Sequence, residues 1–210
     1  MDAPERLLAD RRLFIFDLDG TLADTSPVHA AAFRAALAPR GIQVDYASVA
    51  GLTTLQAMEI LIAQAGQSAS TADLAALVAD KRAAARSNMA EIREIAGASA
   101  FVSRAAVHHR LALCTSAARM TAEATLETLE LAGRFDPIIT ADDVAHGKPS
   151  PEGFLAVLNR AAVGASDALV FEDSDAGLAA AAAAGIDAVR IGEGGSHWDE
   201  LAADLARVTA

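Results

Sequence analysis

Five short apolar runs, four of them closing on a polar residue, constrain the fold of this chain more than any other feature. They are "RLFIFD" (Arg12–Asp17), "RLALCTS" (Arg110–Ser116), "PIITAD" (Pro137–Asp142), "ALVFED" (Ala168–Asp173) and "DAVRIG" (Asp187–Gly192). Each carries β-branched or aromatic residues and is too short for a helix, so each predicts a buried strand. Helical stretches lie between the later runs, at Ala118–Leu131, Pro151–Ala162 and Ala176–Ala184. In "SPEGFL", Ser150 is expected at the helix cap, with Pro151 in the first turn and Glu152 near the positive end. Strand-helix alternation predicts an α/β fold, a Rossmann-like parallel sheet covered by helices on both faces.

The first and second runs break the alternation. Roughly ninety residues separate them, far more than one crossover helix requires. This insert holds helical patterns only: "SPVHAAAFRAALAPRG", "TLQAMEILIAQAG" and "TADLAALVADKRAAARSNMAEI". The expected organisation is a core made of residues 1–23 and 98–210, interrupted by a helical subdomain at 24–97.

In an open parallel sheet, ligands bind beyond the carboxyl ends of the strands. The first strand delivers Asp17 and Asp19 there, the second Thr115 and Ser116, and the fourth Glu172 and Asp173. Lys148, in "HGKPSP", follows shortly after the third. Such carboxylates raise one another's pKa unless a cation compensates. All-oxygen donors without His or Cys favour a hard ion, and Mg²⁺ is the expectation. Thr115 and Lys148 add a donor and a point charge suited to phosphate. A metal and a lysine together would neutralise repulsion between an attacking carboxylate and a phosphoryl group.

Charge agrees with a small anionic ligand rather than a polymer. A net charge of −11 over 210 residues offers no basic face for nucleic acid, whereas a few local cations suffice for a phosphorylated metabolite. The single cysteine, Cys114, allows no intrachain disulfide and is expected as core packing. The N-terminal residues lack the apolar core of a secretory signal. No uncharged apolar run reaches the ~18 residues of a membrane helix. A cytoplasmic monomer without membrane or nucleic-acid partners is the expectation.

With these residues in view, the chain resembles the haloacid dehalogenase superfamily along essentially its whole length. "DLDGT" resembles the first motif, "LCTS" the second, Lys148 in "GKPSP" the third and "FEDSDAG" the fourth. The resemblance implies that Asp17 is a nucleophile forming an aspartyl-phosphate. It implies that Asp19 protonates the leaving alcohol, deprotonates the attacking water and offers its carbonyl to Mg²⁺. Thr115 and Lys148 would grip the phosphoryl oxygens, with Ser116 beside them. Asp173 would complete the metal site, and Glu172 would either bind the metal directly or support its ligands. An aspartate at position 19 favours phosphate esters, because the dehalogenases and phosphonate hydrolases of the superfamily lack one there.

The insert resembles the small helical cap of the phosphoglycolate phosphatase and β-phosphoglucomutase subfamily. "DTSPVHAAAFRAAL" is similar to its beginning in sugar-phosphate members, including His29, and Gly51 corresponds to the cap glycine. Where the mutases carry a lysine and an arginine around that glycine, this chain has Ala50 and Thr54. The expectation is therefore a Mg²⁺-dependent phosphatase of a small phosphorylated metabolite, with a phosphosugar mutase as alternative. A phospho-accepting signalling module is a remote third reading, opposed by the acceptor's place on the first strand and by the insert. Lys81, Arg82 and Arg86 are expected on a solvated helix face, with substrate contact as the alternative. His108, His109, His146 and His197 show no metal spacing and are expected at exposed loops or helix ends.

Overall fold

Alternation along Leu13–Phe16 divides the core of the protein in two. Side chains two residues apart share a face of a strand, so Leu13 and Ile15 point one way and Phe14 and Phe16 the other. The computed structural model describes residues 3–49 and 52–209. In chain order its helices are α1 (Ala3–Asp10), α2 (Ser26–Leu37), α3 (Thr54–Gln64), α4 (Thr71–Ser87), α5 (Ala98–Ala105), α6 (Arg119–Thr128), α7 (Glu152–Ala161), α8 (Asp175–Ala183) and α9 (Trp198–Val208). Its strands are β1 (Leu13–Phe16), β2 (Ala23–Asp24), β3 (Arg93–Glu94), β4 (Arg110–Cys114), β5 (Ile138–Ile139), β6 (Ala168–Glu172) and β7 (Asp187–Arg190).

Five strands form one parallel sheet in the order β5-β4-β1-β6-β7, the α/β architecture expected. Phe16 pairs with Leu113 on one side and Phe171 on the other. The chain runs outward from β1 through β4 to β5, then returns to β6 and β7 on the opposite side. The sheet therefore reverses direction beside β1, where such folds open a crevice for ligands.

On one face Phe14, Phe16 and Phe171 pack with Phe101 of α5 and Trp198 of α9. Fully burying one such ring contributes about 1.5–3 kcal/mol. Trp198 satisfies its indole N–H by donating to the carbonyl of Thr21 at 2.9 Å. The other face carries Leu13, Ile15, Cys114 and Val170 against Phe154 and Val157 of α7 and Ala180 and Ala181 of α8.

Contacts divide the chain into two compact units, residues 1–24 with 93–210 and residues 25–92. The core resumes earlier than the expected residue 98. Arg93 and Glu94 already pair antiparallel with Asp24 and Ala23, and the N–H of Ile95 donates to Leu22. The second unit packs α2, α3 and α4 around Phe33, Leu37, Met58, Leu61 and Ile62. Reciprocal side-chain caps start two of its helices, Thr53 with Gln56 and Ser70 with Asp73, each worth about 1 kcal/mol.

Several sequence expectations are corrected. α7 begins at Glu152 with Pro151 at its cap, and the Ser150 hydroxyl accepts from Glu152 N–H rather than capping deeper in the helix. β5 is only two residues long, pairing Leu113 and Cys114, although the N–H of Asp136 also donates to Leu111 and that of Leu113 to Pro137. His109 is half-buried, its ring stacked 4.0 Å from that of Phe14 and its Nδ1 2.8 Å from the carbonyl of Arg11. Cys114 is buried as expected, which pushes its thiol pKa up to about 12 and leaves it a packing group. Among the described residues no helix is long and apolar enough to cross a membrane.

Candidate active site

Two strand ends and one loop bring Asp17, Glu172, Asp173 and Lys148 together, and the end of a third strand carries Thr115. Asp17 directly follows β1, and its N–H donates to Phe171 at 3.0 Å, so the sheet's own ladder sets its backbone. Glu172 ends β6 and Asp173 follows it. Thr115 follows β4, with its N–H donating to Ile139 at 3.0 Å. Lys148 lies in the loop between β5 and α7. Its ammonium donates to Asp17 Oδ1 at 2.5 Å and to Glu172 Oε2 at 2.6 Å, and stands 5.4 Å from the centre of the Phe154 ring.

Asp17 and Glu172 are almost sealed from solvent, 5% and 1% exposed, while Asp173 is partly buried. Burial is the main reason the Asp17 carboxyl lies well above the ordinary carboxylate range. The charge of Glu172 adds to the effect and Lys148 offsets part of it. Burial alone would push the Lys148 ammonium down, but the charges of Asp17 and Glu172 overturn that and hold its pKa above the usual lysine value. Asp173 is pushed up to about 6, first by burial and then by Glu172, although Thr21 Oγ1 donates to its Oδ1 at 3.2 Å.

The two oxygens of Glu172 have separate tasks. Oε2 takes Lys148, while Oε1 accepts from the N–H of Ser174 at 3.2 Å and its hydroxyl at 2.6 Å. Ser174 Oγ in turn accepts from Gly177 N–H and caps α8. Arg190 donates to the carbonyl of Asp173 at 2.7 Å and pairs with Asp175, steadying the turn that carries Asp173.

Two glycines are dictated by close approach. A Cβ on Gly177 would stand 2.0 Å from Glu172 Cδ. One on Gly20, at φ +88°, would stand 2.1 Å from Asp173 Oδ2. Both lie inside motifs visible in the sequence, as do Thr21 and Ser174. Their signal was present in "DLDGT" and "FEDSDAG", but supporting contacts of this kind depend on three-dimensional proximity.

The remaining residues singled out from sequence separate into two groups. Thr115 is buried, and its Oγ1 accepts from Ala117 N–H at 3.0 Å. Asp19 is half-buried, and its charge acts on Asp17. Ser116 is exposed immediately after Thr115. His29 belongs to α2 of the second unit, and Gly51 and Ala50 lie outside the described residues. Arg82 and Arg86 are exposed as expected, but Lys81 is only 5% exposed. Its ammonium lies 3.1 Å from His29 Nδ1 and 4.8 Å from the centre of the Phe33 ring, partners that a charge run read along one helix cannot reveal.

Carboxylate oxygens of Asp17, Glu172 and Asp173 lie within 4.8 Å of one another. An all-oxygen, predominantly anionic donor set fits a hard divalent cation. The raised carboxyl pKa values of Asp17 and Asp173 record the positive charge that such a set calls for.

A five-stranded parallel sheet with acidic residues at the end of its central strand, a buried lysine across from them and a helical insert after the first strand define a hydrolase core of one class. Residues 14–191 match the haloacid dehalogenase-like hydrolase family, and the chain belongs to it. It is 36% identical over 177 residues to fructose-1-phosphate phosphatase YqaB of Escherichia coli, covering 84% of this chain and 94% of that one. It is 33% identical over 205 residues to validoxylamine A 7′-phosphate phosphatase of Streptomyces hygroscopicus subsp. limoneus, covering 94% and 95%. The crystal structure of CbbY from Rhodobacter sphaeroides in complex with phosphate superposes with a TM-score of 0.75 at 26% identity, over 86% of this chain and 85% of that one.

Proposed function

We propose that the protein is a phosphatase that hydrolyses a small phosphorylated metabolite, a sugar phosphate or a phosphoglycolate-like acid, through an aspartyl-phosphate on Asp17. The observation that carries this reading is the buried Asp17 carboxylate, held at 2.5 Å by Lys148 and grouped with Glu172 and Asp173. Two relatives spanning most of the chain are named as phosphatases of phosphorylated carbohydrate-like compounds, which supports the same substrate class.

In the proposed reaction an Asp17 oxygen attacks phosphorus, and the bond from phosphorus to the ester oxygen breaks. Asp19 gives its proton to the departing alcohol, then takes one from the water that attacks the acyl phosphate. That second attack breaks the bond between phosphorus and Asp17 and releases inorganic phosphate. Lys148 and Thr115, with Ser116 beside it, would hold the non-bridging oxygens. Asp17, Asp173 and the Asp19 carbonyl would hold Mg²⁺, which when bound offsets the negative charge of phosphate and carboxylates. Both oxygens of Glu172 are engaged by Lys148 and Ser174, which favours a supporting role for it over direct metal binding. In the second unit His29, and Gly51 by its resemblance, would serve substrate recognition. A mutase is the weaker reading, since Ala50 and Thr54 stand where a second phosphate would need basic residues.

The test is phosphate release from a panel of sugar phosphates, phosphoglycolate, nucleotides and p-nitrophenyl phosphate, with Mg²⁺ and with EDTA. Turnover of a sugar or acid phosphate that both EDTA and Asp17→Asn abolish is the expected result. A wild-type chain that hydrolyses nothing but keeps phosphate taken from acetyl phosphate would overturn the reading.

A further inference from the structure

The loop that carries Lys148 is tied shut by one side chain. Glu152 is the first residue of α7, and its carboxylate reaches back along the chain. Oε1 accepts from the N–H of Ala145 at 2.7 Å and Oε2 from the N–H of His146 at 3.0 Å. The His146 ring nitrogen Nδ1 lies 3.1 Å from the same Oε2. Inside the ring so formed, Ser150 N–H donates to Gly147 at 3.0 Å. Residues 145 to 152 thus make a closed circuit with Lys148 near its middle. Upstream, Asp143 fastens the chain as it leaves β5. It accepts from the N–H and hydroxyl of Thr140 and from the guanidinium groups of Arg119 and Arg160.

We propose that Glu152 is a positioning residue for Lys148, closing loop 145–152 so that the ammonium stands between Asp17 and Glu172. The inference rests on the phosphatase reading and adds a residue to it. A lysine ammonium rides on four rotatable carbons, so its position is only as definite as the backbone beneath it. Residues Val144–Pro149 belong to no helix or strand, and the sheet cannot supply that definition. A carboxylate accepting two adjacent backbone N–H groups does, with charge-assisted bonds. Its place in the first turn of α7 also gives it a favourable interaction with the helix N-terminus.

The chain holds only two lysines, Lys81 and Lys148, so one can report on the other. Brief acetylation with acetic anhydride, read by peptide mass spectrometry, measures the labelling of Lys148 relative to Lys81. Glu152→Ala is expected to raise that ratio severalfold and to lower kcat/KM for p-nitrophenyl phosphate by about tenfold, a coupling of ordinary size for residues sharing a network. Glu152→Gln, which keeps one acceptor oxygen, is expected to fall between. An equal rise at both lysines with a lowered melting temperature would mean general loosening and would overturn the proposal. So would an active wild type whose Glu152→Ala variant matches it in labelling ratio and kcat/KM. If the wild type hydrolyses no phosphate ester, the phosphatase reading fails and this catalytic role fails with it, while the labelling ratio still decides whether Glu152 fixes Lys148.

Discussion

Gly177 packs against Glu172 with no room for a methyl group, since a Cβ at position 177 would stand 2.0 Å from the Glu172 carboxyl carbon. Glu172 cannot retreat, because Lys148 holds one oxygen and Ser174 the other. Gly177→Ala is therefore expected to cost about 1–3 kcal/mol, as overpacking does, and to remove activity by displacing Lys148. Urea denaturation followed by the single tryptophan, Trp198, measures the loss. Gly164→Ala is the control: a Cβ there meets nothing nearer than 3.9 Å, so its midpoint should match the wild type.

Lys148 is the cation that lets Asp17 and Glu172 share a buried space. Lys148→Met leaves two buried carboxylates facing one another and is expected to destabilise the chain by about 3–5 kcal/mol. Adding Asp17→Asn removes one of those charges and should recover part of the loss, so the double variant should be more stable than Lys148→Met alone. A Lys148→Met chain as stable as the wild type would contradict the compensation described here.

The metal-free protein should lose stability as pH rises from about 4 to about 6. Folded Asp173 keeps its proton up to about pH 6, whereas an unfolded aspartate releases it near pH ~3.9. In that window the folded state binds more protons than the unfolded state, so stability falls with rising pH. Buried Asp17 acts in the same direction. Asp143, held far below the usual range by Thr140, Arg160 and Arg119 against the opposing effect of burial, makes its gain at lower pH, and His109, whose burial lowers its pKa, opposes the decline only at the upper end of the window. The expected decline is about 1–2 kcal/mol after allowance for solvent screening. Millimolar Mg²⁺ should flatten it, because a cation binds the ionised carboxylates. Urea midpoints from pH 4.5 to 6.5 in EDTA and in Mg²⁺ check both statements, and a midpoint that rises in EDTA would refute the first.

In the second unit, Lys81 fixes the state of the His29 ring. An ammonium has only donors to offer, so His29 Nδ1, 3.1 Å away, accepts. Long-range ¹H–¹⁵N spectra should show a bare Nδ1 in the wild type, and Lys81→Met should release that preference.

The strands and the residues at their ends were legible because each strand is a short apolar run that ends on a charge or a hydroxyl. Asp17, Lys148, Glu172 and Asp173 could be placed on one edge for that reason, before any coordinate. Helices α1, α5 and α9 were not read, although Trp198, Leu201 and Leu205 mark one face of α9. They lie outside the strand-helix alternation, and α9 packs on both of the others. The pairing of β2 with β3 was out of reach, since two residues show no periodicity. Lys81 was misread because burial of a charged residue depends on partners from another helix, here His29 and Phe33. Gly20 and Gly177 sat in recognised motifs, but their necessity is a matter of clearance, which spacing does not encode.

The ribbon of β2 and β3 sets Asp24 opposite Arg93. The chain thus departs from the core and rejoins it at adjoining positions, and everything from Thr25 to Ile92 is a detour with a shared doorway. Such a detour can lengthen, shorten or be exchanged for an unrelated one without altering the strand order that assembles Asp17, Lys148, Glu172 and Asp173. Selection can therefore revise the two units as separate inheritances.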